Sequence, residues 1–185
     1  CQSIGIEFMY LRSPERMEWI RNKIEIKNLP VFDKERKLKL FESLIKAHGF
    51  ESFLGKKFVG QKRFSIEGGE CLIPALETLV SKGSDLGVEN FIMGMAHRGR
   101  LNTLTNVFKK RPKDIFAEFE GKEFDFESTF DGDVKYHQGF TSKVTLDNGK
   151  DIGLTLAPNP SHLEAVNGVV EGIARAKIDH IYQDE

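Results

Sequence analysis

The sequence predicts an α/β protein: a mostly parallel sheet flanked by helices, preceded by a helical region. Three observations predict it. The first roughly 55 residues space their apolar side chains at helical intervals. From about Gln61 the texture changes to alternating strand and helix signals. An apolar stretch, Asn90-Phe91-Ile92-Met93, then ends in the basic turn Gly94-Met95-Ala96-His97-Arg98-Gly99-Arg100 and runs into a helical pattern at 101–108. Open α/β proteins collect ligands at such a place, the carboxyl edge of the sheet. The expected organisation is a helical connecting region over 1–60 and the first part of an α/β domain over 61–185.

Ser13-Pro14-Glu15 is a helix start, with a capping hydroxyl, proline at the first helical position and an acid in the first turn. Met17, Ile20 and Ile24 give that helix one apolar stripe. Asp33 opens a second helix, with Leu38, Phe41, Leu44 and Ile45 at helical spacing and Gly49 as its stop. Residues 63–66 are a strand candidate before the turn Glu67-Gly68-Gly69, and 71–82 read as a helix ending before Gly83, with Pro74 arguing for a start near Glu70 or later. Residues 88–93 are the next strand and 112–120 a short helix. The segment 123–131 is a loop, with acids and phenylalanines in no clear period. Residues 144–146 and 152–156 flank Asp147-Asn148-Gly149 and read as a β-hairpin, Asn-Gly being the favoured two-residue turn. In the last helix Ser161 and Glu164 fit a capping box. Leu163, Val166, Val169, Val170, Ile173 and Ile181 form its apolar face, and Gly168 and Gly172 allow close helix approach.

Composition excludes more than it assigns. With 27 Lys+Arg against 28 Asp+Glu, no basic footprint for nucleic acid is present. Apolar residues at 39% and charged residues at 30% are ordinary for a globular domain. No apolar run approaches the ~18 residues a membrane helix needs. Two cysteines, Cys1 and Cys71, make no disulfide framework and point to an intracellular reducing compartment. The chain opens at Cys1 without an initiator Met or a signal-peptide pattern, and a helical pattern runs to Tyr182 with no stop signal. A segment of a longer protein is expected, with marginal stability or self-association through apolar faces that lack their covering.

Three loops carry candidate chemistry: His97-Arg98-Gly99-Arg100, Lys135-Tyr136-His137 and Asn159-Pro160-Ser161-His162. Arginine forks bind carboxylate or phosphate in a bidentate manner. A neutral histidine donates to or accepts from a polarised oxygen and moves protons near neutral pH. Free amides at the helix start by Ser161 favour an anion. A zinc site is disfavoured by the long histidine spacing, by the absence of an HExxH or paired-cysteine motif, and by the arginines beside His97.

Four strings become specific at this point: RFSIEGGE at 63–70, GMAHRGRLN at 94–102, GDVKYHQGF at 132–140 and APNPSHLEAVNGVVEG at 157–172. Together they resemble the 2-oxoglutarate dehydrogenase family, in its thiamine-diphosphate-dependent decarboxylating component. SIGIEFMY and SPERMEWI resemble that family's helical stretch before the catalytic domain, so the resemblance runs along essentially the whole chain.

The resemblance implies a thiamine-diphosphate-binding fold and an oxidoreductase of the tricarboxylic acid cycle. It would decarboxylate 2-oxoglutarate and pass the succinyl group to a lipoyl group on dihydrolipoyl succinyltransferase, with dihydrolipoyl dehydrogenase in the same complex. It further implies a homodimer at full length, without nucleic-acid or membrane partners, in a bacterial cytoplasm or mitochondrial matrix. By motif, Arg98 and the backbone at Leu163 contact thiamine diphosphate, and Ser161 lies between cofactor and substrate. His97 and His137 contact the 2-oxo acid or stabilise charge at the reacting carbon, while His162 stands behind them. The family's Gly-Asp-Ala-Ala segment and following Asn, which hold the diphosphate through Mg2+, do not occur in this sequence. No metal ligand is therefore assigned, and the segment alone is expected to be inactive. A related 2-oxoadipate dehydrogenase component and a non-catalytic docking module are the alternatives; an exposed apolar stripe on the early helices would mark the latter.

Overall fold

A computed structural model describes residues 5–25, 31–121, 136–159, 162 and 164–181. Its contacts divide the chain into two units, 1–37 and 38–185. In the first, α1 (Pro14–Ile24) starts as its sequence dictates: Ser13 Oγ accepts from the Arg16 amide at 3.3 Å and Pro14 occupies the first turn. Met17, Ile20 and Ile24 are its half-buried face, while Trp19 is exposed. Asp33 Oδ1 accepts from the Arg36 amide at 2.7 Å and opens α2 (Lys34–Lys57).

α2 does not stop at Gly49. Its buried face is Ser43, Ala47, Phe50, Glu51 and Leu54, a stripe at helical spacing that carries the helix through the glycine. The expected face is the wrong one: Leu38, Phe41 and Ile45 are each more than half exposed. Packing of Phe50, Leu54 and Phe58 outweighs the cost of about 1 kcal/mol for a mid-helix glycine.

The second unit is mixed α/β. After α3 (Leu72–Asp85) come β1 (Asn90–Met93), α4 (Arg100–Asn106), α5 (Pro112–Phe119), β2 (Phe140–Thr145), β3 (Asp151–Leu156) and α6 (Asn167–Ile181). The strand order is β1-β3-β2. β1 pairs parallel with β3, with Asn90 opposite Gly153 and Met93 opposite Leu156, while β2 pairs antiparallel with β3. β3 is the central strand, and Ile152, Leu154 and Leu156 alternate into the core with Leu101, Leu104, Phe108, Ile73 and Ile115. Each such side chain contributes about 1.5–3 kcal/mol by burial.

The hairpin forms where expected, but its loop has three residues. The Leu146 amide bonds the Lys150 carbonyl at 2.9 Å and Gly149 sits at φ +77°. A left-handed third residue completes such a loop, and glycine adopts it without strain.

Two further expectations fail. Residues 63–66 form no strand, and Phe64 sits at φ +45°. Glu164 lies at φ +65°, outside a helix that begins at Asn167, so it cannot be the third residue of a capping box. The Ser161 half of that box, the Leu163 position, the 123–131 loop and Tyr182 lie outside the described residues. Gly168 and Gly172 have nothing near the place of a Cβ; the close approach to α6 is made at Gly94 instead. A Cβ there would lie 2.7 Å from Val166 and Val170, so α6 packs over the exit of β1 only because Gly94 has no side chain.

Candidate functional site

The parallel pairing puts the carboxyl ends of β1 and β3 side by side, and the Ala157 amide bonds the Met93 carbonyl at 2.8 Å just beyond them. Here the chain turns through 94–100. Gly99 at φ +74° makes the turn possible; a Cβ would meet Ile66 at 2.8 Å.

The two arginines of the turn separate. Arg100 is fully buried. Its guanidinium donates to Gln138 O at 2.7 Å, Ala157 O at 2.7 Å and Met95 O at 2.9 Å. Asn159 makes the same junction from the other side: Nδ2 donates to Met95 O at 2.8 Å, and its amide donates to His137 O at 3.0 Å. Arg100 and Asn159 therefore hold the three candidate loops together. Arg98 is exposed, and its Nη1 donates to Ser65 O at 3.1 Å. Its fork faces solvent and suits an anion.

His97 is half-buried beneath Phe64, with ring centroids 3.8 Å apart; Phe64 in turn meets the edge of Tyr136 at 5.1 Å. His97 Nδ1 is buried without a hydrogen-bond partner, as is Asn159 Oδ1. Since Asn159 Nδ2 is fixed on Met95 O, its free atom is an acceptor. Burial first, then the charges of His137, Lys62 and Arg98, hold the His97 imidazole below its ordinary value of 6.5. The shift favours the neutral imidazole. His137 lies half-buried within electrostatic range of it, and His162 is exposed.

A second polar cluster supports this face from behind. Glu51, 3% exposed, accepts from Asn102 Nδ2 at 3.1 Å and from the Ile66 amide at 3.3 Å, and pairs with Arg63 at 3.7 Å. Burial raises its carboxyl above the usual range. Asn102 also donates to Ala47 O at 2.8 Å and accepts from Asn106 Nδ2 at 2.7 Å. Sequence reasoning missed Glu51, Phe64 and Asn102, and grouped Arg100 with Arg98 as a cationic donor of the same turn. A signal did exist for Glu51, whose position falls on the continued 43-47-50-54 face.

A groove of about 690 Å3 opens at the opposite, amino end of the strands, lined by Asn90, Thr141, Lys143, Lys150 and Asp151 among others. It is remote from the histidines. Among the described residues no cluster of three or more metal-ligating side chains occurs. No helix there is long and apolar enough to cross a membrane.

No family model matches the chain. It is 49% identical over 178 residues to the 2-oxoglutarate dehydrogenase E1 component of Cupriavidus necator, covering 96% of this chain and 18% of that protein. It is 45% identical to the E1 component of Azotobacter vinelandii over 97% of this chain and 19% of that one. A 2-oxoglutarate dehydrogenase-like, mitochondrial protein of Pongo abelii is 44% identical over 96% of this chain. The chain thus spans about a fifth of the length of these relatives, and is homologous to one segment of them.

Proposed function

We propose that this homologue of a 2-oxoglutarate dehydrogenase E1 segment serves in the thiamine-diphosphate-dependent decarboxylation of 2-oxoglutarate, with transfer of the succinyl group to the lipoyl group of dihydrolipoyl succinyltransferase. Residues 1–60 would be a helical connecting region and 61–185 the first part of the cofactor-binding α/β domain. Dihydrolipoyl dehydrogenase would complete the complex, a homodimer of the full-length protein would complete the site, and a bacterial cytoplasm or mitochondrial matrix would house it.

One observation carries the reading: a half-buried His97 with an unpartnered Nδ1 lies beside the exposed Arg98 at the carboxyl edge of a parallel strand pair. The exposed Arg98 guanidinium keeps donors beyond the one on Ser65 O that suit a phosphate ester or an organic acid, and the orphan Asn159 Oδ1 suits a donor group of a ligand rather than its anionic part. Thiamine diphosphate, when bound, supplies the nucleophilic carbon and electron sink that decarboxylation of a 2-oxo acid requires. Arg98, with Ser161 and the backbone at Leu163, would hold it. Mg2+ would be held by residues other than those of this chain.

His97 and His137 would bind the 2-oxo acid. A neutral imidazole can donate to the keto oxygen as negative charge develops there, without repelling or sequestering a proton beforehand. Phe64, itself backed by Tyr136, covers one side of that imidazole, which strengthens the hydrogen bond. Ser161 would lie between cofactor and substrate.

Carbon dioxide release from 2-oxoglutarate, 2-oxoadipate and pyruvate by the enzyme carrying this chain tests the reading. Greatest release from 2-oxoglutarate, dependent on thiamine diphosphate and Mg2+, supports it; preference for 2-oxoadipate assigns the related dehydrogenase instead. The exposed Leu38, Phe41 and Ile45 favour a second reading, a docking surface for the partner enzymes. Substituting His97 or His137 by alanine separates the two: lost turnover with the partner still bound supports catalysis, and released partner with retained turnover supports docking.

A further inference from the structure

Glu51 is a buried carboxylate on α2 that the proposed chemistry does not use. A carboxylate is an expensive side chain to bury, and an apolar residue on the 43-47-50-54 face would pack without that cost. What it holds is therefore informative. Oε1 accepts from the Ile66 amide and from Asn102 Nδ2 on α4, and Oε2 faces Arg63. Arg63 in turn lies over Gly55 of the same helix, where a Cβ would come within 3.2 Å of the guanidinium, and bonds Glu67 at 2.8 Å. Both ends of the segment 63–66 are thus fastened to α2.

Everything between those fastenings touches the basic turn. The Phe64 ring lies 3.8 Å from the His97 ring, Phe64 O accepts from the Gly99 amide at 2.8 Å, and Ser65 O accepts from Arg98 at 3.1 Å. Phe64 does this from φ +45°, a conformation a phenylalanine keeps only where its surroundings over-determine it.

We infer that Glu51 is a positioning residue, which sets the orientation of His97 and Arg98 through the strained segment 63–66. The inference deepens the proposed decarboxylation and rests on that reading for its kinetic consequence. Its geometric content stands apart from it, which allows the two to fail separately.

The test compares Glu51→Ala, Glu51→Gln and Phe64→Leu in the enzyme carrying this chain, with 13C-labelled histidine. Two quantities are read: the His97 ring resonance, assigned by its loss in His97→Ala, and kcat with KM for 2-oxoglutarate. Glu51→Ala should move the His97 signal in the direction seen for Phe64→Leu, because the same ring leaves its face. It should lower kcat by about tenfold or more, the usual consequence of misplacing a reacting group by a fraction of an ångström to an ångström. Glu51→Gln keeps an oxygen for Ile66 and Asn102 and should restore both readings. A folded Glu51→Ala with the wild-type His97 signal and kcat overturns the inference. If that variant does not fold, Glu51→Asp takes its place, since it keeps the charge but falls short of the Ile66 amide, and an unmoved His97 signal again overturns it. Loss of folding in both leaves Glu51 a purely structural residue and also overturns it. A wild-type enzyme inert toward every 2-oxo acid refutes the proposed function, while the His97 signal still decides the link to Glu51.

Discussion

The two ends of the β1–β3 pair differ in a way that volume does not capture. A groove opens at the amino end, and the charges there are matched: Lys143 pairs with Asp151 at 2.8 Å and Lys150 Nζ bonds Ser84 O at 2.9 Å. At the carboxyl end Asn159 Oδ1 and His97 Nδ1 are buried without partners, and the exposed Arg98 makes one bond, to Ser65 O. Buried polar atoms cost free energy when unpaired; two such atoms lie at the carboxyl end and, among the described residues, none lines the amino-end groove. Unmet polar demand distinguishes the two ends.

The contrast is broken most directly by one alanine at each end. His97→Ala should lower kcat for 2-oxoglutarate by about 10²–10⁴-fold, the range for removing a proton-handling group. Lys150→Ala at the amino end should leave it unchanged in the same steady-state assay. Comparable losses at both ends would mean the groove takes part.

Arg100→Leu is next in size. It leaves the carbonyls of Met95, Gln138 and Ala157 without their buried donor, so a loss of about 3 kcal/mol or more is expected in denaturant unfolding. A loss of substrate affinity with unchanged stability would restore Arg100 as a ligand residue. Gly94→Ala drives a methyl into Val166 and Val170, and should cost about 1–3 kcal/mol in the same experiment.

The smallest effect is a shift in pH dependence. Since His97 is held below 6.5 in the folded protein, the unfolded chain takes up this proton first as pH falls. Its contribution therefore makes stability rise with pH between the folded value and 6.5, and fall on acidification through that window. The acid limb of the kcat/KM profile should lie in that window, and Phe64→Ala, which hydrates the imidazole, should move it upward toward 6.5. An unmoved limb would detach the profile from His97.

Much of the fold was legible where local chemistry decides it. Ser13-Pro14 capped a helix, the strand at 90–93 ran into its basic turn, and Asn148-Gly149 folded a hairpin. Legibility failed where a distant partner decides. Gly49 reads as a stop until Phe50, Leu54 and Phe58 find the aromatic rings of Phe116 and Phe119. Residues 63–66 alternate like a strand, but Glu51 and the His97 ring bend them into a strained link. In the same way the spacing of His-Arg-Gly-Arg announced cationic chemistry but could not divide the labour between its arginines. That division follows from three carbonyls contributed by separate loops, which converge on Arg100 and leave Arg98 outside.

The role proposed for the carboxyl end of β1 and β3 is in decarboxylation of a 2-oxo dicarboxylic acid. Carbon dioxide release from 2-oxoglutarate by the enzyme carrying this chain, with thiamine diphosphate and Mg2+ present or withheld, tests it most directly. Cofactor-dependent release that His97→Ala abolishes and Lys150→Ala leaves intact is the predicted result. Folded, cofactor-supplied enzyme that releases none, or releases it undiminished after His97→Ala, would contradict it.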